Sequence, residues 1–579
     1  MKLFRYIHKL CLPLTASLVI SCNDNFLDRH PLDAVTNEIF WENEEQLAAA
    51  TLRCYDVLNK DLINLGEGVA ESAYWGAING GLNVVSGGRH GNDGFPVSTW
   101  WRNSYANIFH CNNFLANYDR APIDQAVKDR YAAEVRVLRA FNYFLLTGLY
   151  GDVPLVDRVL TGTEPELYGP RTPKAEVVAW VLEDLDLAIE KLGAAIPAGE
   201  HLGRINKWGA LAVKARIALQ NELWEVAADA AQQVMQANVY QLYPDYHELF
   251  QTEGNISVNT ANRETIIAAM YKEDVRMHNL SGETCKPVDY VRFNPGKQLV
   301  DDYLCIDGRP AVQGFTYRNN ASVQLSTLYD RDEPTYASYW QNRDPRMAMT
   351  ILKPGSAWVG GNDGTPGDAV TATPIFHLPR FASLKNNNRN GANSMTGFYF
   401  TKYSDQDIAL NTNRDYNDIH VFRYAEILLI YAEAKFEMGQ FDQAVADATI
   451  NKLRERVNMH PMRLDELAAW NMDVETEIRR ERHVELAFEG MRLFDIYRWK
   501  EGERMGLPVT GPAEHIMLNE LGGNPYADNG VDAHGDIIYE KSTQGGGVRN
   551  FDPNKHYLWP VPNSEIIKNP NMSQNPNWN

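Results

Sequence analysis

Apolar residues recur at intervals of three and four over long stretches of the chain, the spacing that lays one stripe of a helix against a core. The pattern predicts helices over residues 43–58, 98–117, 124–149, 174–192, 206–220, 222–237, 420–438, 441–457 and 474–500. The first opens on Asn43 with Gln46 three residues on, the spacing of a capping box. Its apolar stripe runs through Leu47, Ala50, Thr51, Cys54 and Leu58, which assigns Cys54 to packing. Two helix junctions repeat one another. In each, an aromatic precedes a small residue by three positions at the start of the second helix: Trp224 with Ala227, and Phe441 with Ala444. The small residue on the same face lets the preceding helix approach closely, as in tetratricopeptide hairpins. Gly439 has no glycine equivalent in the first junction, so the repeats are degenerate members of one domain. Between 251 and 419 the helical period fades and turn signals multiply: Pro354-Gly355, Gly360 to Gly364, Asn386 to Asn388 and Asn390-Gly391. A second irregular stretch, 501–556, is rich in Gly, Asn and Asp. Long turn-rich segments that carry aromatics read as binding loops. The fold class expected is all-α, with tetratricopeptide-like helical hairpins as scaffold and a loop-rich, irregular face for ligand.

The first residues carry a different instruction. Lys2, Arg5 and Lys9 precede an eleven-residue apolar run, Leu10 to Ile20, which ends at Ser21 and Cys22. The run is too short to span a bilayer and has the layout of a secretory signal. Val19-Ile20-Ser21-Cys22 resembles a bacterial lipobox, which implies removal of residues 1–21 and lipidation of Cys22. Residues 22–35, polar and containing Pro31, then read as a tether. Removal of 1–21 takes away three positive charges and no negative ones, moving the net charge from −20 to −23. A body this acidic repels nucleic acid and anionic lipid head groups, so the acyl chains must supply the membrane attachment.

Four cysteines remain in the mature chain, Cys54, Cys111, Cys285 and Cys305, too few for a disulfide scaffold and with no CxxC among them. Enzyme signatures are missing too. His483-x-Glu485 lacks the second histidine at i+4 that a zinc protease helix needs, and there is no G-x-S-x-G elbow or Walker glycine loop. Asp528, Asp532 and Asp536 lie in a Gly- and Asn-rich loop without EF-hand order and are expected to be solvated. No metal or cofactor is expected, and no catalytic residue is assigned.

The 28 tyrosines and 13 tryptophans point to binding, because aromatic faces hold sugar rings and peptide side chains. Aromatics in polar, turn-rich surroundings are the candidate ligand residues. Tyr74 and Trp75 precede a Gly/Asn/Ser stretch that holds Arg89, His90, Asn92 and Asp93. Trp100, Trp101 and Asn103 follow at a helix start. Tyr336, Tyr339 and Trp340 come before Arg343-Asp344-Pro345-Arg346, and Trp358 stands in the glycine-rich loop. Alanine at Trp75 and Trp340 is expected to weaken ligand binding without unfolding the chain. Trp208, Trp224, Trp499 and Trp559 sit in strongly patterned segments and are assigned to packing.

Several blocks then agree in order with one family. They are Asn37 to Tyr55, Ala133 to Phe141 running into Tyr150-Gly151-Asp152-Val153-Pro154-Leu155, Arg204 to Arg216, Arg343 to Arg346, Phe422 to Leu429, Glu481 to Trp499, and Tyr557-Leu558-Trp559-Pro560-Val561-Pro562 with Gln574-Asn575-Pro576. Behind a lipobox, this series resembles the SusD/RagB surface lipoproteins of the Bacteroidetes over nearly the whole chain. The resemblance implies a SusD-like helical region over 36–250, a loop-rich binding region over 251–419 and a C-terminal helical region with an irregular tail over 420–579. It implies a non-catalytic nutrient binder, most often for oligosaccharides and in some members for peptides, anchored in the outer membrane and surface-exposed. It also implies a partner, a SusC-like TonB-dependent outer-membrane barrel. A helical glycoside hydrolase and a tetratricopeptide assembly scaffold are the competing classes. Physically, Glu481, Glu485 and Glu489 recur beside Arg479, Arg480, Arg482 and Arg492 as a pairing network. Arg423 and Glu426 are expected as buried partners inside an apolar helix, and Pro345 is expected to stop structure at Asp344.

Overall fold

The computed structural model describes residues 40–76, 81–285, 291–317, 320–330, 335–358, 375–379, 394–405, 413–539 and 549–578. The lipobox, the tether, and the turns at 360–364 and 386–391 lie outside them. The scaffold is a run of helices: α1 Glu44–Cys54, α2 Val97–Asn117, α3 Gln125–Tyr150, α4 Lys174–Lys191, α5 Lys207–Gln220, α6 Trp224–Gln236 and α7 Tyr424–Glu437. Each packs on the next in order, and α7 in turn packs on α8, Val474–Glu485, which precedes α9, Arg492–Trp499. Among the described residues no helix is long and apolar enough to cross a membrane. Among the described residues three two-stranded antiparallel ribbons accompany the helices. They pair β1 (Ala73–Trp75) with β3 (Phe293–Pro295), β2 (Thr265–Ala269) with β4 (Ile419–Arg423), and β5 (Thr510–Ala513) with β6 (Asp536–Ile538). One hydrophobic core runs through helices from both ends of the chain. The fold is all-α with tetratricopeptide-like hairpins, as the apolar period requires.

Local chemistry explains the helix ends. Asn43 Oδ1 accepts from Gln46 N at 3.0 Å, while Gln46 Oε1 reaches back to Glu42 N at 2.7 Å, one residue before the cap. Cys54 is buried beside the buried Cys111 thiol. At the first hairpin Trp224 packs on the core with Ala227 fully buried beneath it. Glu222 adopts φ 59°, the left-handed turn that Gly439 makes at φ 67° in the second hairpin, so the geometry persists where the glycine does not. The second hairpin departs from the expected contact: Ala444 is exposed and Ala446 is the buried small residue.

Three helices break where periodicity ran on. Residues 419–423 form β4 because Ile, His, Val and Phe are buried on both faces of a ribbon, and the helix begins only at Tyr424. The 441–457 segment divides at Thr449, whose Oγ1 donates to Val445 O at 2.6 Å, into Gln443–Ala448 and Ile450–Arg456. The 474–500 segment divides at 486–491, where Phe488 (φ 62°) and Gly490 (φ 83°) take left-handed conformations. There the backbones of Gly66 and Gly490 touch: a Cβ on Gly66 would stand 1.8 Å from Gly490 O. Pro345 keeps Asp344 out of helix, at ψ 123°, but marks a helix start rather than a stop. Pro345 is the first residue of a helix, Pro345–Thr350, and Asp344 caps it by accepting from Arg346 N at 2.9 Å.

Charge is buried on a large scale. Arg423, at the end of β4 rather than in a helix, uses all five N–H groups. They go to Glu264, to Glu485 (side chain and carbonyl) and twice to Glu489, each at 2.7 Å. Arg346 joins Asp344, Glu481 and Glu485; Arg454 joins Glu481; Arg456 joins Glu264 and Glu485. Lys402 Nζ reaches Glu489 at 2.6 Å, and Arg216 pairs with Glu426 on α7. The Glu/Arg recurrence of the sequence is thus a structural network inside the core. His483 belongs to it through Asp302, 2.9 Å from Nδ1, and Asp536, far from being solvated, is buried on β6 with Lys297 Nζ at 3.5 Å.

Beside the Gly66–Gly490 contact, burial pushes the Glu67 carboxyl up to about 7, although Gly490 N–H and the Ser72 hydroxyl donate to it. The folded chain therefore holds this proton more tightly than the unfolded chain. The resulting stability is full below the unfolded value of 4.5 and is lost as pH rises through about 7. Glu67→Gln keeps an acceptor for Gly490 and removes the titration. We expect it to raise stability at pH 8 by roughly 2 kcal/mol and to leave stability at pH 5 little changed. Urea unfolding at the two pH values checks this, and equal effects at both would exclude Glu67 as the titrating group.

The last residues return to the first helices. Trp559 N donates to Leu149 O at 2.7 Å, and Gln574 exchanges two 2.8 Å bonds with the backbone of Val561. Asn575 Nδ2 donates to Tyr150 O and Trp559 O, Arg171 donates to Asn575 Oδ1, and Asn92 Nδ2 donates to Trp578 O at 2.7 Å.

Candidate functional site

A groove of about 250 Å³ runs between the end of α1 and α2. The turn after α1 supplies Asp56 and Asn59, and the short helix Asp61–Gly66 supplies Asp61 and Asn64. Along the other wall α2 presents Trp100, Asn103, Asn107 and His110, spaced three and four apart on one face. Phe95, 57% exposed, stands at the end of the groove, and Asn142 of α3 lines its buried floor.

This lining is polar without being strongly charged. Arg53 and Asp56 form an ion pair, and Asp61 accepts from Asn64 Nδ2 at 2.9 Å. Burial first, and then the Arg53 guanidinium, hold the His110 imidazole below its ordinary range, so it is neutral at neutral pH. One cation and two carboxylates give no surplus of positive charge for an anionic ligand. Hydrogen-bonding capacity is in surplus instead. Asn142 is fully buried; its Nδ2 donates to Leu138 O at 2.8 Å, but its Oδ1 accepts from nothing among the described residues, and neither does Asn64 Oδ1. A buried acceptor left unpaired costs about 1–3 kcal/mol, which a hydroxyl donor would recover. Part-exposed aromatic faces beside several amides suit a ring bearing hydroxyl groups. Among the described residues no group of three His, Cys, Asp or Glu side chains is placed to hold a metal ion.

The sequence candidates fall into three places. Trp100 and Asn103 come together in this groove, while Trp101 points inward, its ring 5.0 Å from Tyr150. Tyr74, Trp75 and Arg89 gather on the short helix Gly81–Ser86, which replaces part of the expected loop. Asn83 donates to Tyr74 OH at 2.9 Å and has Arg89 Nη2 3.5 Å away. Tyr74 is buried against Tyr539, whereas Trp75 is half-buried with the Arg292 guanidinium 5.8 Å above its ring. Asn92 serves the tail lock and Asp93 is exposed; His90 is buried against Trp578.

The third group is a correction. Tyr336, Tyr339, Trp340 and Trp358 are all buried, in an aromatic cluster with Phe376, Phe398 and Tyr399. Trp340 Nε1 donates to Ile351 O, Trp358 Nε1 to Cys285 O and Tyr336 OH to Gly397 O, so these rings are core rather than platforms for a ligand. Two of them also border cavities: Tyr339, whose OH accepts from Ala513 N, one shared with Lys297, Asp301 and Asp536, and Trp340 another, shared with Arg343, Met347 and Leu352. Trp340→Phe is therefore expected to lower stability by about 1–2 kcal/mol through lost volume and one lost hydrogen bond, and to leave ligand affinity unchanged. Paired thermal melts and titrations distinguish this from a binding role.

Phe95, Asn59, Asn64, Asn107, His110 and Asn142 were not singled out from the sequence. Asn142 alone carried a signal, an amide between Phe141 and Tyr143 in a buried helix; the others are ordinary turn and surface residues until the fold joins them.

The architecture defines a helical-repeat protein with an amide- and aromatic-lined groove at its first helices. Residues 253–578 match the model described as the SusD family, and residues 25–219 match the one described as starch-binding associating with outer membrane. The chain belongs to the SusD family. It is similar to SusD-like protein P2 of Formosa agariphila, with 25% identity and 96% of each chain covered. It is also similar to the starch-binding protein SusD of Bacteroides thetaiotaomicron, with 23% identity over 77% of this chain and 72% of that one. Among solved structures, a SusD-like carbohydrate binding protein from Bacteroides fragilis superposes with a TM-score of 0.75 at 27% identity, covering 92% of this chain and all of that one.

Proposed function

We propose that this protein is a surface lipoprotein, anchored in the outer membrane through Cys22, that binds a neutral oligosaccharide and hands it to a SusC-like TonB-dependent transporter without cleaving it. The observation that carries the reading is the groove. It offers aromatic faces at Trp100 and Phe95, and two buried amide oxygens, of Asn64 and Asn142, that lack donors among the described residues. Family membership supports it, as does the carbohydrate or starch binding stated for the relatives from Bacteroides fragilis and Bacteroides thetaiotaomicron. The absence of a cationic surplus in the groove favours a neutral glycan over a uronate or sulfated one.

Titration of residues 23–579 against neutral polysaccharides, anionic polysaccharides and peptide pools, following both binding heat and ligand mass, tests it. Saturable binding of a neutral glycan recovered intact is expected. Shortened ligand would replace the binder with a hydrolase, and binding confined to peptide pools would move the protein to the peptide-binding branch. Co-purification of an outer-membrane barrel with the tagged lipoprotein tests the hand-over.

A further inference from the structure

A smaller cavity of about 180 Å³ lies beside α8 and α9. Arg480, His483 and Arg492 form its floor and are almost fully buried; Arg479 and Arg504 stand nearer the mouth, with Arg504 14% exposed. A guanidinium offers five donors and no acceptor. The carboxylates around the cavity answer some of them. Arg492 is held by Glu71, Arg479 by Glu475 and Glu501, Arg504 by Glu501, and Arg480 by Glu477 and Asp302. Charge is thus largely compensated, and what remains in excess is N–H groups. Arg480 Nη2 is buried and has no hydrogen-bond partner among the described residues.

His483 adds the opposite function. Its Nδ1 lies 2.9 Å from Asp302 Oδ2 and donates to it, which leaves the lone pair on Nε2, and Nε2 is likewise buried with no partner among the described residues. Burial first, and the Arg492 guanidinium next, hold this imidazole below its ordinary range, in the neutral form that the geometry requires. The cavity therefore presents guanidinium donors and the neutral acceptor Nε2, with the Asp302 and Glu501 carboxylates also in its wall, within a space that fits only a small group. An oxyanion that keeps one proton matches both; a fully deprotonated one would set an oxygen lone pair against Nε2.

We propose that this cavity binds a monohydrogen phosphate group, with Arg480 Nη2 donating to its oxygens and its hydroxyl donating to His483 Nε2. The group comes either from free phosphate or from a phosphate monoester. Calorimetry on the purified protein at pH 7.5 and fixed ionic strength, with inorganic phosphate, sulfate and glucose 6-phosphate, separates the cases. We expect saturable one-to-one binding of phosphate and at least tenfold weaker binding of sulfate. Arg504→Gln, close enough to the mouth to leave the fold intact, should weaken phosphate at least tenfold while the melting midpoint without phosphate and the glycan affinity stay unchanged. Tighter binding of glucose 6-phosphate than of inorganic phosphate would support the site and assign it to esters. No phosphate heat, or equal affinity for phosphate and sulfate, would overturn the proposal and leave the cavity to water.

Discussion

Arg423→Met is expected to destabilise the protein by about 3–5 kcal/mol, the cost of removing one partner from a buried ion network. The side chain is 1% exposed, and its five hydrogen bonds join the end of β4 to Glu264 just before β2, to Glu485 at the end of α8 and to Glu489 beyond it. Methionine preserves the length of the chain but leaves those carboxylates in an apolar interior with fewer cations, of which Arg456, Arg346 and Lys402 remain. The acid limb reports the same network. Burial raises the Glu485 carboxyl, but Arg456, Arg423 and Arg346 more than offset it and hold it well below the usual carboxylate range. Its contribution to stability is therefore present above the unfolded value of 4.5 and is lost as pH falls through the folded one. In the variant this acid-side loss should shrink. Urea unfolding of both proteins from pH 3 to 8 measures it. A cost under 1 kcal/mol at pH 7 would show that the remaining cations suffice.

Trp100→Ala is expected to weaken oligosaccharide binding by about 2–3 kcal/mol, roughly thirty- to 150-fold, by removing the larger aromatic face from the groove. Because the ring is only half-buried, the fold should lose less than this, and the melting midpoint should stay close to that of the parent. Asn142→Leu probes the floor. It removes the unpaired Oδ1 that a ligand hydroxyl would satisfy, so affinity should fall while stability does not, since an unsatisfied acceptor leaves the core. If both variants bind as the parent does, the ligand lies elsewhere, and the half-buried Trp75 with Arg292 above it is the next surface to test.

The helices were legible because burial on one face writes a 3.6-residue period into the sequence, and α2 to α6 begin and end within about two residues of where that period placed them. Periodicity failed where a segment is buried on every side. His420 to Phe422 read as helix because their apolar run continues into α7, and the break at Phe488–Gly490 was hidden inside the Glu/Arg pattern of 474–500. The charge network was legible as pairing, though not its depth. The candidate site was less so. Turn-rich composition located aromatics in loops but could not tell which way a ring faces, and so Trp340 and Trp358 were read as platforms when their indole N–H groups in fact cap carbonyls of the core. The groove itself joins residues from α1 to α3, and the contacts that set them side by side are tertiary.

The tail lock has a consequence for how the chain reaches its native state. Trp578 closes on Asn92, and Asn575 on Tyr150, across more than four hundred residues, so the first helices are left without several of their partners until the final residues arrive. Contacts of such sequence separation are slow to form and make the molecule a closed loop rather than a string of independent repeats. A product that stops a few residues short would keep its opening half unlatched and exposed to proteolysis. Completion of synthesis is thus needed to latch the first helices, and a chain that stops before Asn575 would lack the bonds that close on Tyr150 and Asn92.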